Sequence, residues 1–170
     1  MLQIIENLMV KSDNLTAELL IKTIGFEANK KEGNWKNGLE EVRKFINDSV
    51  GIDTATFSIQ DGSGVSRYNY GSPSQYIDLL KWVYNNKAIR DQFINTLPNS
   101  TPKGVLNKRS LPNKVYAKTG SLSGVTTFSG YIFTNSGEIV AFSILMNGFK
   151  GDSLPYKNLQ DKIVSALSMI

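Results

Sequence analysis

The hydrophobic pattern of this chain changes near residue 113, from a helical period to a strand period. Before that point, apolar residues recur every three or four positions in several runs, which is the spacing of an amphipathic helix. The pattern predicts helices over residues 2–9, 15–24, 38–50, 73–85 and 88–96, with Gly25 ending the second. A last helix over residues 154–169 would turn Leu159, Ile163 and Leu167 inward.

Apolar and polar residues alternate after residue 113, which is typical of half-buried strands. Three runs follow in order, from Val115 to about Gly120, over residues 126–134 and over residues 138–146. Asn135-Ser136-Gly137 forms the turn between the last two runs, where glycine makes a positive φ easy. The pattern therefore predicts an α+β fold, in which a helical region is followed by a three-stranded antiparallel meander and a C-terminal helix.

Polar and glycine-rich stretches mark the boundaries between these elements. Ser12-Asp13-Asn14 separates the first two helices, and such residues most often cap the helix that follows. Residues 55–59 alternate weakly and predict a short strand or an extended arm, and Asp61-Gly62-Ser63-Gly64 predicts a tight turn rather than a calcium loop. Ser72-Pro73-Ser74-Gln75 is a capping-box start for the fourth helix. Residues 97–113 are rich in Pro, Asn and Lys and predict a long loop.

Composition limits the classes of function. The chain has 170 residues, 20% charged and 41% hydrophobic, which is enough for one globular domain with a core. No apolar run has the length of a membrane span, and the N-terminus lacks a basic-then-apolar signal pattern. A net charge of +4 is too low for the dense basic patch expected of a nucleic-acid-binding protein.

The chain contains neither histidine nor cysteine. Catalysis by Ser-His-Asp or Cys-His arrangements is therefore excluded, as are disulfides and zinc sites built from His and Cys. If serine chemistry occurs, a lysine or a carboxylate must act as the base. We expect no metal and no cofactor.

Lys118-Thr119-Gly120 lies at the end of the first predicted strand. An ammonium can attract a carboxylate, a hydroxyl can hydrogen-bond it, and glycine lets a peptide approach the strand backbone closely. Taken alone, however, the triplet more often represents a solvated edge lysine followed by a turn glycine.

The two motifs become specific when they are taken together. Ser-Asp-Asn at a helix junction followed by a distant Lys-Thr-Gly resembles the penicillin-recognising serine enzymes. The longer stretches that start at Ser12, at Asp61 and at Ala117 are similar to the class C low-molecular-mass penicillin-binding proteins, the D-alanyl-D-alanine carboxypeptidase/endopeptidase family. This resemblance covers nearly the whole chain. It implies a partial penicillin-binding/β-lactamase-like fold, forming one incomplete transpeptidase-like domain with a helical part (1–113) and a sheet part (114–170).

The family's nucleophile lies in a Ser-x-x-Lys motif well upstream of Ser-x-Asn, and only eleven residues precede Ser12. Ser100-Thr101-Pro102-Lys103 has this spacing, but Pro102 argues against the helix on which such a motif must lie. We therefore expect this chain to be the C-terminal part of an enzyme whose nucleophile lies elsewhere, and to be inactive alone.

The resemblance also implies residue roles. Ser12 would pass a proton towards the leaving nitrogen, helped by the charge of Lys118, and Asn14 would hydrogen-bond the substrate amide. Lys118 and Thr119 would hold the terminal carboxylate, and the Ser121 amide would donate to the oxyanion. The substrate would be a peptidoglycan stem peptide, with β-lactams binding at the same place, and the enzyme would act outside the cytoplasm.

Two other functions remain open, along with the choice between carboxypeptidase and endopeptidase activity. One is a non-catalytic muropeptide-binding module or pseudoenzyme. The other is a class A β-lactamase, although the deacylating glutamate segment of that class has no counterpart here.

Three further expectations concern packing and surface. Asp61 and Arg67 would form a buried ion pair that supports the turn. Lysines and arginines between residues 103 and 118 would form a solvated basic loop or attract an anionic polymer. Strand 139–146 would be an open sheet edge that pairs with a second copy of the chain, whereas the opposite edge, formed by the Lys118 strand, would stay free for a peptide.

Overall fold

A computed structural model describes residues 1–112 and 114–170, which form six α-helices and three β-strands. The helices are α1 (Leu2–Lys11), α2 (Asn14–Asn29), α3 (Trp35–Phe45), α4 (Pro73–Asn85), α5 (Arg90–Thr96) and α6 (Leu154–Leu167). The strands are β1 (Val115–Leu122), β2 (Val125–Phe133) and β3 (Ile139–Asn147). The predicted α+β class, meander and closing helix are confirmed.

The contacts divide the chain into two compact units. The first contains residues 3–82 with residue 1, and the second contains residues 83–170 with residue 2. The single-domain interpretation and its internal boundary after residue 113 remain predictions, and Asn113 lies outside the described residues.

In the first unit, α2 and α3 pack closely because two glycines lie at their contact. A Cβ atom on Gly38 would lie 1.9 Å from the Ile21 carbonyl oxygen, and one on Gly25 would lie 2.8 Å from the Gly38 nitrogen. The prediction that Gly25 ends α2 is therefore wrong. Gly25 is a buried packing position inside the helix, which continues to Asn29 and ends on Lys30 in the left-handed conformation.

The start of α3 was predicted three residues too late. Asn34 caps the helix by accepting a hydrogen bond from the Asn37 amide through its side chain, so α3 begins at Trp35. The helix widens at its end into one turn of π-helix, Ile46–Val50, which stops at Gly51 with φ 81°.

Of the two forms predicted for residues 55–59, a short strand or an extended arm, the strand does not form. Thr54–Thr56 is a single 3₁₀ turn, and Ser58 makes only an isolated antiparallel bridge with Tyr70. By contrast, the capping box that starts α4 is confirmed. The Ser72 amide donates to Gln75 Oε1 at 2.8 Å, and the Gln75 amide donates to Ser72 Oγ at 3.4 Å.

The Asp61 turn is held by amides instead of a buried ion pair. The Asp61 carboxylate accepts from the amides of Gly64 and Ser66 and from Asn69 Nδ2, at 2.8, 2.6 and 2.8 Å respectively. Arg67 is exposed, so the predicted burial of an Asp61–Arg67 pair is wrong. The Asp61 carboxylate needs hydrogen-bond donors, and the backbone amides of the turn supply them. This arrangement avoids the cost of burying the guanidinium of an arginine.

Glu18, in the second turn of α2, joins two other segments of the first unit. Its carboxylate accepts from the Gly62 amide at 3.1 Å, the Ser63 amide at 2.9 Å and Trp35 Nε1 at 2.7 Å. Burial opposes ionisation, but the hydrogen bonds from Ser63, Gly62 and Trp35 outweigh it and hold the pKa of Glu18 below its ordinary value. Glu18 thereby attaches both the Asp61 turn and the start of α3 to α2.

The second unit contains a sheet with the strand order β1-β2-β3. Because directly opposite residues in antiparallel strands share a face, the register assigns Val115, Phe128 and Phe142 to one side. These residues form the core of the unit together with Ile132 of β2 and Val164 of α6. Phe128 and Phe142 pack edge to face with their ring centroids 5.1 Å apart.

The inward face of α6 differs from the prediction. Leu159 and Ile163 are exposed by 47% and 38%, whereas Gln160 and Val164 are fully buried and Asp161 is 6% exposed. Leu167 packs against the core as predicted. The buried polar pair is tolerated because both of its members bind Arg109.

None of the described helices combines the length and the apolar character that are needed to cross a bilayer.

We expect Glu18→Gln to destabilise the chain by about 1–2 kcal/mol at neutral pH, because it removes a charged acceptor from three donors. A lowered folded pKa stabilises the folded state above the unfolded pKa, and this contribution is lost as pH falls through the folded pKa. The difference between wild type and variant should therefore shrink below about pH 4.5. Denaturant unfolding between pH 3 and 8 measures it.

Glu27→Gln is the matched control, because Glu27 pairs with Lys30 on the surface, where both side chains are more than half exposed. We expect a change of less than about 0.5 kcal/mol at any pH. Equal pH dependence in both variants would contradict the assigned role of Glu18.

Candidate active site

Ser12 lies at the junction of α1 and α2 in an uncommon backbone conformation. It is the C-cap of α1, with φ 56° and ψ 47°, and its amide donates to the Leu8 carbonyl. The left-handed region is unfavourable for residues other than glycine, and such residues cluster at functional sites. Two residues, Ser12 and Asp13, separate the helices, and Ser12 is exposed.

Asp13, the middle residue of the motif, is the one that caps α2. Its Oδ1 accepts from the Leu15 amide at 3.1 Å and its Oδ2 accepts from Thr16 Oγ1 at 2.5 Å. Asn14 is the first residue of α2 and is exposed. The capping role predicted for this stretch therefore belongs to Asp13, and neither Ser12 nor Asn14 is the cap residue of α2.

Lys118 lies in the middle of β1 and is half-buried. Its Nζ donates to the carbonyl of its neighbour Thr119 at 2.7 Å. Burial lowers the pKa of the Lys118 ammonium from its ordinary value. A half-buried cation of this kind attracts an anion more strongly than a fully solvated lysine does.

Among residues 1–112 and 114–170, backbone hydrogen bonds cover the outer edge of β1 in its first half. The Ser100 amide donates to the Val115 carbonyl at 3.0 Å, and the Ala117 amide donates to the Pro98 carbonyl at 2.8 Å. The prediction of an entirely free edge is therefore wrong up to Ala117. Since alternate residues of a strand direct their backbone groups to the same side, the amides of Thr119 and Ser121 also point away from β2.

Gly120 has a reason for being glycine within the sheet itself. A Cβ atom there would lie 2.5 Å from Thr127 Oγ1, its partner across the β1–β2 register. Lys118 and Gly120 share one face of β1, and Thr119 and Ser121 share the other. The Lys118-Thr119-Gly120-Ser121 stretch thus presents a cation, a hydroxyl and outward amides along one short length of edge.

Ser100 is built into the fold. It is 4% exposed, its Oγ donates to the Pro112 carbonyl at 2.6 Å, and the same oxygen accepts from the Val115 amide at 3.0 Å. Residues 101–104 form turns and bends without a helix. These contacts support the rejection of Ser100-Thr101-Pro102-Lys103 as a nucleophile motif.

The predicted basic loop contains fewer surface cations than its sequence indicates. Lys103, Lys108 and Lys114 are exposed, but Arg109 pairs with Asp161 and its side chain is only 17% exposed. The sequence did not predict the buried role of Arg109 as the partner of Asp161. The one sequence feature that indicates this role is the Gln160-Asp161 pair inside the predicted C-terminal helix.

Among the described residues, no group of three or more His, Cys, Asp or Glu side chains is arranged to hold a metal ion.

Comparison with known proteins places these features in a family. The sequence model described as "D-Ala-D-Ala carboxypeptidase 3 (S13) family" matches residues 1–169. D-alanyl-D-alanine carboxypeptidase DacB of Haemophilus influenzae is 29% identical over 167 residues, which cover 95% of this chain and 34% of that protein. The chain thus spans about a third of the length of the curated relatives that it matches.

Solved structures show the same fold. Penicillin-binding protein 4 of Haemophilus influenzae, in complex with a β-lactam, superposes with a TM-score of 0.87 at 26% identity, covering 99% of this chain and 41% of that one. The TLA-3 extended-spectrum β-lactamase superposes with a TM-score of 0.74 at 21% identity, over 98% of this chain and 62% of that one. The predicted penicillin-binding/β-lactamase-like fold is confirmed.

We expect Ser12→Gly to leave the free energy of unfolding unchanged or to raise it by up to about 1 kcal/mol, because glycine adopts the left-handed conformation without strain. Denaturant unfolding measures this change. Ser74→Gly is the comparison in ordinary helical backbone, and we expect it to cost at least about 0.5 kcal/mol, because it also removes the hydrogen bond between Ser74 Oγ and Ser72 Oγ. A clear loss of stability for Ser12→Gly would show that the Ser12 side chain contributes more to the fold than its backbone strain costs.

Proposed function

The chain belongs to the D-Ala-D-Ala carboxypeptidase 3 (S13) family, and we propose that it is the substrate-holding part of a serine-type D-alanyl-D-alanine carboxypeptidase/endopeptidase. The parent enzyme would cleave peptidoglycan stem peptides outside the cytoplasm and would be acylated by penicillin. The observation that carries this proposal is the edge of β1 beyond Ala117, where outward amides lie beside a half-buried lysine.

Edge addition is the binding mode that this arrangement supports. An extended peptide could pair with the outward amides of Thr119 and Ser121 as an added strand. Its terminal carboxylate would be held by the Lys118 ammonium and the Thr119 hydroxyl through charge-assisted hydrogen bonds. Gly120, which carries no side chain, would leave room for the peptide backbone beside the strand.

The catalytic steps assign one role to each remaining residue. The parent's nucleophilic serine would attack the carbonyl between two D-alanines, forming a serine ester and releasing the terminal D-alanine, and water would then hydrolyse the ester. The Ser121 amide would donate to the oxyanion, a contact worth about 3 kcal/mol of transition-state stabilisation. Ser12 would deliver a proton to the leaving nitrogen, and Asn14 would hydrogen-bond the substrate amide.

The second candidate is a muropeptide-binding module without catalysis. It is favoured by the state of Ser100, the one serine in Ser-x-x-Lys spacing, which is buried and uses its hydroxyl in two hydrogen bonds. A class A β-lactamase is the weaker alternative, because the likeness to TLA-3 extends to the fold alone.

We predict that the 170-residue chain binds an acyl-D-Ala-D-Ala peptide without being acylated. Titration followed by NMR should shift the amides of Thr119 and Ser121, and Lys118→Met should weaken binding about tenfold, the equivalent of one charge-assisted hydrogen bond. Intact-mass spectrometry after incubation with benzylpenicillin should show no added mass, because catalytic units lose most of their rate without the nucleophile.

Lys108→Met is the matched control, since Lys108 is an exposed lysine of the loop before β1 and should not alter the affinity. A stoichiometric gain of the antibiotic's mass would show that a serine within these residues is a nucleophile. Peptide binding that ignores Lys118 would overturn the edge-addition mode.

We also propose that the isolated chain self-associates through β3. Among the described residues, β3 is hydrogen-bonded to β2 on one side only, and it contains neither Lys, Arg nor Pro. The Thr134 amide donates to the Glu138 carbonyl across the β2–β3 turn. This hydrogen bond shows that the backbone of Glu138 faces β2, so the alternate residues 139, 141, 143 and 145 direct their amides away from β2. A strand edge with such unpaired amides favours pairing with another chain.

Sedimentation equilibrium should show a dimer for the wild type and a monomer for Ala141→Pro, which removes one outward amide without breaking the bonds to β2. Ala141→Gly retains that amide and is the control. Phe142 is unsuitable for such a test, because it is 4% exposed and lies in the core. A wild type that remains monomeric at high concentration would contradict this proposal.

A further inference from the structure

Arg109 forms a buried polar network beneath the sheet of the second unit. Its Nε donates to Asp161 Oδ1 at 2.7 Å, and its Nη2 lies 2.5 Å from the same oxygen. The same Nη2 donates to the Lys157 carbonyl at 3.1 Å and to Gln160 Oε1 at 3.2 Å. Three groups of α6 therefore hold one guanidinium in a single orientation.

This network has a cost that an apolar packing would avoid. Asp161 is 6% exposed and Gln160 is fully buried, and burying such groups is unfavourable unless every polar atom is hydrogen-bonded. Leu159 and Ile163 of the same helix remain exposed. The helix therefore buries two polar side chains at a cost while two of its large apolar side chains remain in contact with solvent.

The network contacts β2 at two places. The Arg109 guanidinium carbon lies 4.2 Å from the centre of the Phe128 ring, a cation–π contact on the core face. Gln160 Nε2 donates to the Thr126 carbonyl at 3.3 Å. Gln160 thus bridges Arg109 and the β2 backbone, since its oxygen accepts from one and its nitrogen donates to the other.

The register shows what lies opposite these two contacts. Phe128 is the partner of Thr119, and Thr126 is the partner of Ser121. These partners are the two β1 residues whose amides point outward beyond the segment that covers the first half of the strand. The network therefore supports the sheet directly behind the uncovered part of the β1 edge.

We propose that Arg109 and Gln160 are positioning residues, which hold the Thr119 and Ser121 amides in place for the acyl peptide by fixing their partners on β2. This inference rests on the proposed function, because it assigns these amides to substrate binding. Within the described part of the chain, β2 is the strand that pairs with this stretch of β1, so the order of the edge depends on β2. A fixed edge binds a peptide more tightly because less ordering is lost on binding.

Two variants test the inference in the 170-residue chain. Arg109→Met removes the guanidinium, and Gln160→Met keeps the Arg109–Asp161 pair but removes the link to Thr126, which protects the test against loss of folding. In both we expect the backbone order parameters of Thr119 and Ser121 to fall from about 0.85 towards 0.6. Affinity for an acyl-D-Ala-D-Ala peptide should fall at least about fivefold in the same variants, because the looser edge must be ordered on binding.

Arg109→Lys should give an intermediate result, since lysine keeps the charge beside Asp161 but lacks the planar fork of donors. Lys162→Met is the control from the same helix as Gln160, because Lys162 is an exposed cation of α6. It should change neither the order parameters nor the affinity. Thermal unfolding of every variant identifies a purely structural effect, which would lower the melting temperature without altering affinity measured well below it.

The outcomes separate the two proposals. Unchanged order at Thr119 and Ser121 in a folded Gln160→Met variant overturns the positioning role, whether or not peptide binds. Lower order with unchanged affinity overturns it too. If the wild type binds no peptide, the proposed function fails, and the positioning role fails with it because these amides would have no substrate to meet.

Discussion

The alternation of β1 is the constraint on which the second unit depends. Its side chains at Val115 and Ala117 fill the core, so the strand has no freedom to slip by one residue without turning its apolar side chains to the other face. The same alternation directs the backbone of every second residue away from β2. Once the core has set the register, the outward amides of Thr119 and Ser121 follow from it.

In the first unit, the corresponding constraint is the carboxylate of Glu18. Partial burial makes its ionised form unfavourable, and hydrogen bonds from the Asp61 turn and from Trp35 compensate for this cost. The close contact of Gly25 with Gly38 brings α2 and α3 near enough for this arrangement. Together these contacts anchor α2, whose N-terminal cap follows directly on the strained Ser12.

Buried polar side chains explain why the hydrophobic pattern gave a wrong inward face for α6. A period of 3.6 residues identifies an apolar stripe, but it does not register a Gln and an Asp that are buried because an arginine from a distant loop binds them. Arg109 is 52 residues from Asp161 in the sequence. The contact between Arg109 and Asp161 therefore explains two differences from the predictions. Arg109 is not a surface cation of the basic loop, and α6 buries Gln160 and Asp161 in place of Leu159 and Ile163.

The sequence alone determined the α+β class, the meander and its turn, the capping box at Ser72, and the two motifs that indicated the family. These features depend on local spacing and turn chemistry, which the chain carries within a few residues. Only the tertiary structure decided the role of Gly25, the cover over the first half of β1, the burial of Ser100 and the inward face of α6. Each of these depends on which distant segment approaches, and no local pattern of residues encodes that approach.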